Sequence, residues 1–372
     1  MNRTLASCLL IVSLFGAGAE CTGVATTDPP APDQVEHVLS RIGYGPDAWS
    51  RRRIEWLGVH DYVEEQLHPE TIDDAAFQAR IAGLAAPRLS WPELQDSYCF
   101  GRSEVWCPLG DRTIARNELA YAKILRSIYS RRQLEAALVD FWFDHFNVNA
   151  TEGSLRISAI PHERDAIRPH VLGRFEDLLV ATARSPAMLE YLDNGRNYRD
   201  GYVTGRGILG RNENYARELM ELHTLGVDGG YDQVDVIEVS RALTGWLLVP
   251  RFKPDGGMGP EHYLWAWSKY RFFEFDLSAH DGGPKDVMGS LHLGADGGVE
   301  DGLAVLSFLA NHPKTAERIS RLLVQRFVSE TPPPNAVYSI CWTMSPVSTL
   351  TTSLTLPIWS VTIRYVDPFL TR

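Results

Sequence analysis

Residues 212–246 constrain the fold more than any other stretch, because two helical periods joined by a tight glycine turn demand helical partners. The run Asn212-Glu-Asn-Tyr-Ala-Arg-Glu-Leu-Met-Glu-Leu-His-Thr-Leu-Gly226 places Leu219, Met220 and Leu222 on one apolar stripe. Asn212 fits a helix cap and Gly226 a helix stop. Asp232 then caps a second helix, which Gly245 ends before Trp246. Arg217, Glu218, Glu221 and His223 crowd the same few turns, too densely for a plain solvated face. Glu218 and Glu221 are three apart and point the same way, and Arg217 is spaced to pair with Glu221. Together with Arg241 these residues are expected to form a buried ionic lattice.

Helical periods recur along most of the chain. Val35–Gly43, Ala48–Leu57 and Asp61–Leu67 read as short helices, with Gly58 stopping the second. Ile114–Tyr129 reads as an amphipathic helix whose apolar side carries Leu119, Ile124, Leu125 and Ile128. Ser130 and Gln133 form a capping-box pattern for the next helix, which ends in the cluster Phe141–Val148. Pro161–Ala183 reads as a long helix kinked or divided at Pro169, and Ser185-Pro186 restarts it. Val299–Leu309 and Lys314–Val328 complete the set. Aromatic and polar residues alternate through Tyr263–Phe275, as in a strand or hairpin arm. The expected fold is mainly α: a multi-helical single large domain over residues 35–330 with a small β excursion. Residues 331–372 begin with prolines and turn Ser/Thr-rich, with hardly any charge. Two accounts fit this atypical tail: a disordered stalk, or an end that is truncated or frame-shifted. The second is preferred, because the helical pair at 306–328 stops without a partner.

The first 19 residues read as a signal peptide: Arg3, an apolar run from Leu5 to Phe15, and the small-residue site Ala17-Gly18-Ala19. Residues 20–34 read as a flexible spacer. No later apolar run is long enough for a transmembrane helix. The expected location is therefore outside the cytoplasm, periplasmic or secreted. The alternative is a lipoprotein anchored through Cys21, although Glu20 before it suits that processing poorly. In an oxidising compartment Cys99 and Cys107 either pair or stay as two buried thiols. The formal net charge of -11 leaves no basic surplus for phosphates, so no nucleic-acid partner is expected.

Six residues stand out as candidates for chemistry: Asp144, His145, Glu218, Glu221, His223 and His280. His145 ends an aromatic helix, where it serves either as a base or ligand or as a hydrogen-bonded core histidine. Known metal patterns fail on spacing. Glu221 is followed three residues on by Thr224 rather than His, and no His-Glu-x-x-His occurs. The aspartates at 228–235 lack the glycine and glutamate of a calcium loop. Gly205-Arg-Gly207-Ile-Leu-Gly210 spells a nucleotide motif without the strand that should precede it. No metal or cofactor can be assigned from these patterns.

The same motifs resemble a known bacterial family, DUF1800. The resemblance rests on residues 212–226 with Arg241-Ala-Leu-Thr-Gly-Trp246, and on Arg168-Pro-His-Val-Leu-Gly173. It extends to Ser185-Pro-Ala-Met-Leu-Glu-Tyr-Leu-Asp-Asn194, Phe141-Trp-Phe-Asp-His-Phe146, Leu39-Ser-Arg-Ile-Gly-Tyr-Gly45, and His280-Asp with Lys285 and Gly289. It covers most of residues 35–330. It implies a largely helical protein that is often exported, with a sulfatase-like exported protein as the expected partner. Family members continue well past the point where this chain turns Ser/Thr-rich, which favours the truncated or frame-shifted account of the tail. The family carries no established biochemical function, so the resemblance transfers no mechanism. Two functions stay open: an exported cell-envelope accessory or assembly protein, or a hydrolase-like, metal-dependent or metal-free enzyme with a polar site inside the helical domain.

Overall fold

The computed structural model describes residues 30–98, 109–204, 207–250 and 271–332, with positions 334, 336 and 337. The expected signal peptide at 1–19, most of the spacer, Cys21, Cys99, Cys107, residues 263–270 and the tail beyond 337 lie outside the described residues.

The architecture is mainly α. Helices α1 (Pro32–Ile42), α2 (Ala48–Leu57) and α3 (Val59–Leu67) form an N-terminal layer. The first starts inside the stretch read as spacer, because Pro32 opens it and the Gln34 side chain accepts from the Ala31 amide at 3.3 Å. Short helices α4 (Ala75–Ile81) and α5 (Trp91–Ser97) lead to the long α6 (Arg112–Tyr129) and to α7 (Gln133–His145). The expected capping box at Ser130 is not used. Ser130 donates to Asp74 at 2.9 Å, and Gln133 donates back to the Ser130 carbonyl at 2.7 Å. The helix expected at 161–183, kinked or divided at Pro169, is divided. α8 (Leu155–Pro161) runs into a π-helical turn at His162–Ile167 and a 3-10 turn at Arg168–His170. α9 (Phe175–Ala183) and α10 (Pro186–Tyr191) follow.

The 212–246 stretch folds as α11 (Asn214–Glu218), a π-helical turn at Leu219–His223, and α12 (Gln233–Ala242). Asp232 caps α12 by accepting from the Val234 and Asp235 amides at 2.7 and 3.1 Å. α13 (Val299–Ala310) and α14 (Pro313–Phe327) close the bundle. Three antiparallel strand pairs sit among the described helices: β1 (Tyr202–Thr204) with β2 (Gly207–Leu209), β3 (Trp246–Pro250) with β4 (Arg271–Phe275), and β5 (Lys285–Val287) with β6 (Leu291–Leu293). The β excursion expected at 263–275 is thus present through β4, whose partner β3 follows directly on the 212–246 stretch.

One apolar core joins residues from Val35 to Val337. Trp142, Phe146, Leu219, Val239, Leu306 and Phe327 are all sealed within it. Ala336 and Val337 are buried in the same core, past the point where the sequence turns Ser/Thr-rich.

α6 departs from its expected orientation. Ala115, Leu119 and Ala122 are buried, whereas Ile114, Tyr121, Ile124 and Ile128 face solvent, the last two 55% and 57% exposed. α6 packs against α4 and α8, and the small residues facing inward suit a close approach. The bulky apolar residues are left on the outer face at spacings of seven, three and four.

Candidate functional site

α7 ends in Trp142, His145 and Phe146, and these three rings anchor the site. The Nε2–H of His145 donates to the backbone carbonyl of His223 at 3.0 Å. That bond fixes the tautomer and leaves a lone pair on Nδ1. The two imidazoles lie 6.1 Å apart, and Phe146 packs 4.7 Å from His145 and 5.1 Å from His223. Tyr215 of α11 stands 6.3 Å from His223.

A π-helical turn carries an extra residue and moves the following side chains onto a new face. In α11 this swings His223 inward, where it is 4% exposed, and leaves Leu222 48% exposed. Leu222 therefore does not join the apolar stripe that the 3.6-residue period places it on. The buried Nδ1 of His223 has no hydrogen-bond partner among the described residues.

The second π-helical turn carries His162, which is sealed from solvent. Its Nε2–H donates to the Phe146 carbonyl at 2.9 Å, and its Nδ1 accepts from the Ser185 hydroxyl at 2.9 Å. This is the geometry of a serine–histidine dyad, but Ser185 is only 4% exposed and no substrate can approach. The pair instead pins α10 to the end of α8. Beside it Glu163 is buried within reach of Arg168, of Arg126 at 3.3 Å and of Lys123 at 3.9 Å.

The electrostatics follow from burial. Desolvation lowers His145 and His162 each to about 4, against the weaker opposing effect of their bonds to carbonyls. His223 is held well below its ordinary value by burial first, then by His145, His162 and Arg318. All three histidines are neutral at physiological pH. Burial pushes Glu163 up, but Arg168, Lys123 and Arg126 together outweigh it and hold the carboxyl below its usual range.

Arg318 of α14 reaches the site from the other side. It donates to the Leu222 carbonyl, and no carboxylate pairs with it among the described residues. Its side chain crosses Gly226, where an added Cβ would come within 3.0 Å of Arg318 Cδ. Gly226 also needs its positive φ of 88° to turn the chain and donate to the Met220 carbonyl at 3.1 Å.

The remaining candidates are distributed around this centre. Asp144 is exposed, one residue before His145. Glu218 and Glu221 are half-buried on α11 and its π turn, with no ion pair or hydrogen bond among the described residues. Burial, then Glu221, raises the Glu218 carboxyl above its ordinary value, against Arg217.

His280 belongs to a different cluster. Its Nδ1 donates to the Thr244 carbonyl at 2.8 Å, and its Nε2 lies 3.2 Å from Asp301. Lys285, buried, donates to Asp301 at 2.7 Å and to the carbonyls of Asp281 and Gly283 at 2.6 and 2.8 Å. The expected lattice of Arg217, Glu218, Glu221 and Arg241 is not formed. Arg241 lies on α12 and holds Asp281 and Glu238, whereas Arg217 pairs with Glu213 at 3.5 Å and donates to Gln233 at 2.8 Å.

The structure thus brings His145 and His223 together, keeps Glu218 and Glu221 on the adjoining turn, and sets His280 in a second polar centre. Sequence reasoning missed His162, Glu163, Ser185 and Arg318 as parts of one assembly. A His162-Glu163 dipeptide beside a proline was the one available signal. Among the described residues, no three His, Cys, Asp or Glu side chains stand close enough to hold a metal ion.

Fold and site together define a helical-bundle protein in which two π-helical turns deliver neutral histidines to one aromatic nest. The chain belongs to the family described as "Protein of unknown function (DUF1800)", which matches residues 37–343. No curated protein and no solved structure matches it.

Proposed function

We propose that the protein is an exported cell-envelope accessory or assembly component that works by docking to other proteins. The observation that carries this reading is the outer face of α6, where Ile114, Tyr121, Ile124 and Ile128 are exposed on one 18-residue helix. An apolar stripe of that length on an ordered helix is the usual mark of a protein contact. The interior supports the same reading. His162, His280, Lys285 and Arg241 spend their polar atoms on neighbouring elements, which stiffens the frame that presents α6. The sulfatase-like exported protein expected from the family resemblance is the partner to test first. Export itself is tested by fusing residues 1–34 to a phosphatase that is active only outside the cytoplasm. Activity is expected, and a silent fusion in a cell that secretes a control fusion contradicts export.

A second reading, a hydrolase-like enzyme, is favoured by Glu218, whose raised carboxyl suits a general acid, and by the lone pair that the Nε2 bond leaves on Nδ1 of His145. Turnover of an ester, phosphoester or glycoside by the purified chain, lost in both Glu218→Gln and His145→Gln, would establish it. Turnover that survives both variants removes it.

A further inference from the structure

We propose that the outer face of the β1–β2 pair seats in an anionic lipid surface, a contact separate from the docking face on α6 and independent of it. Val203 and Ile208 are direct cross-strand partners, so their side chains leave the same face. At 73% and 76% exposed they are the two most exposed large apolar side chains among the described residues, and neither joins the core. Their neighbours Tyr202 and Leu209 are half-buried on the opposite face. Tyr202 stacks on Tyr198 at 5.2 Å, and its hydroxyl lies 3.4 Å from that of Ser278. The Arg199 amide donates to the Ala279 carbonyl at 2.7 Å, and its Nε–H to the Ser278 carbonyl at 2.8 Å. One face is thus held to the body, and the face turned outward carries the β-branched residues. Gly207, from the stretch that spells a nucleotide motif, opens β2 at a φ of 126° that favours glycine.

Size and charge select the occupant. Each strand has three residues, too short an edge for a partner strand to extend. Two side chains also fall far short of the about 1,000 Å² that a stable protein interface needs. A lipid surface asks only for shallow entry of apolar groups backed by charge. Shallow seating keeps the strand edges at the hydrated headgroups, so no backbone group is stranded in hydrocarbon. The charge beside the face is positive. Arg211 is engaged by Asp200 at 3.6 Å and Glu213 at 3.8 Å. Arg196, itself 73% exposed, meets Asp193 only at 4.0 Å, and Arg199 is exposed with no carboxylate paired to it among the described residues. In a chain of net charge -11 this local excess complements anionic headgroups.

The test is flotation of the full chain with vesicles of phosphatidylcholine alone or mixed with phosphatidylglycerol, at low and at physiological salt. The chain is expected to bind the mixed vesicles at least about tenfold more tightly than the neutral ones, and less tightly as salt rises. Val203→Ser/Ile208→Ser, at two exposed sites, is expected to keep the fold and weaken binding at least about tenfold. Arg196→Gln is expected to weaken binding to the mixed vesicles about fivefold. Hydrogen exchange of the unaltered chain is expected to slow over 202–204 and 207–209 when mixed vesicles are added, and this decides should the double variant fail to fold. Ile124→Glu/Ile128→Glu is expected to float as the unaltered chain does, which separates failure of the α6 reading from failure of this one. No flotation, equal flotation with neutral vesicles, or full flotation of a folded Val203→Ser/Ile208→Ser chain overturns the proposal. So does a chain that ignores vesicles but whose Val203→Ser/Ile208→Ser variant loses a protein from its envelope assembly, which assigns the face to a protein partner.

Discussion

The Nε2–H of His145 donates to the backbone carbonyl of His223 at 3.0 Å, tying the last turn of α7 to the π turn that follows α11. A side chain from one element thereby satisfies a carbonyl that a π-helical turn leaves unevenly matched. The bond requires a proton on Nε2 and permits a lone pair on Nδ1, so the contact is made by the neutral ring.

This neutrality predicts acid sensitivity. Burial lowers His145 and His162 to about 4 in the folded chain from near 6.5 when unfolded, and His223 is likewise held well below its ordinary value. Between pH 6.5 and 4 the unfolded chain binds more protons, so stability falls as pH falls through that window. For sealed His162 the loss is on the order of 3 kcal/mol. Glu163, held low by its cations, adds a loss of the same sign below its ordinary range, and the raised Glu218 opposes it weakly. Thermal melts from pH 7.5 to 5 should show a falling melting temperature; a flat profile would contradict the neutral nest.

The carboxylate of Glu163 balances Arg168, Arg126 and Lys123 at a buried position. Glu163→Gln removes the charge and leaves Arg126, itself lowered by burial, without its nearest counter-ion. The expected cost is about 3 kcal/mol or more, read as a shift in the urea midpoint. A change below about 0.5 kcal/mol would show that water already screens the cluster.

Gly302 lies in α13, where alanine would ordinarily gain about 1 kcal/mol. A Cβ there would sit 2.6 Å from the Trp246 ring. Gly302→Ala is therefore expected to destabilise by about 1–3 kcal/mol through overpacking. Gly83, with nothing within 4 Å, serves as the control, and Gly83→Ala should be close to neutral. A stabilised Gly302→Ala chain would mean that Trp246 is free to move aside.

Along α6 the two apolar faces should respond in opposite ways. Ile128→Glu, at an exposed site, is expected to change stability by less than about 0.5 kcal/mol. Leu119→Glu, 7% exposed, should unfold the chain or cost more than about 3 kcal/mol. Circular dichroism and chemical denaturation separate the two, and equal damage from both would place Ile128 in a contact within the chain.

The helices were legible because period and punctuation agree. Gly58 stops α2, and Asp232 and Gly226 bound their helices as local chemistry dictates. The π turns were not legible. A single extra residue leaves the apolar spacing of Leu219 and Met220 intact while it exchanges the environments of Leu222 and His223. α6 was misread for another reason: both of its faces are apolar, and periodicity alone cannot say which one meets the core. Of the candidate residues, His145 and His223 meet through a bond to a backbone carbonyl, which no spacing pattern encodes. Arg318 is separated from them by most of a hundred residues or more and becomes part of the site only through tertiary packing.

The central claim is that α6 is a docking face, and the native size of the protein in a mildly solubilised envelope extract tests it most directly. The unaltered chain is expected to migrate in an assembly larger than one chain. The Ile124→Glu/Ile128→Glu double variant, folded and equally stable, is expected to migrate as a single chain. A monomer-sized unaltered protein, or an assembly that the folded double variant keeps intact, would contradict the account.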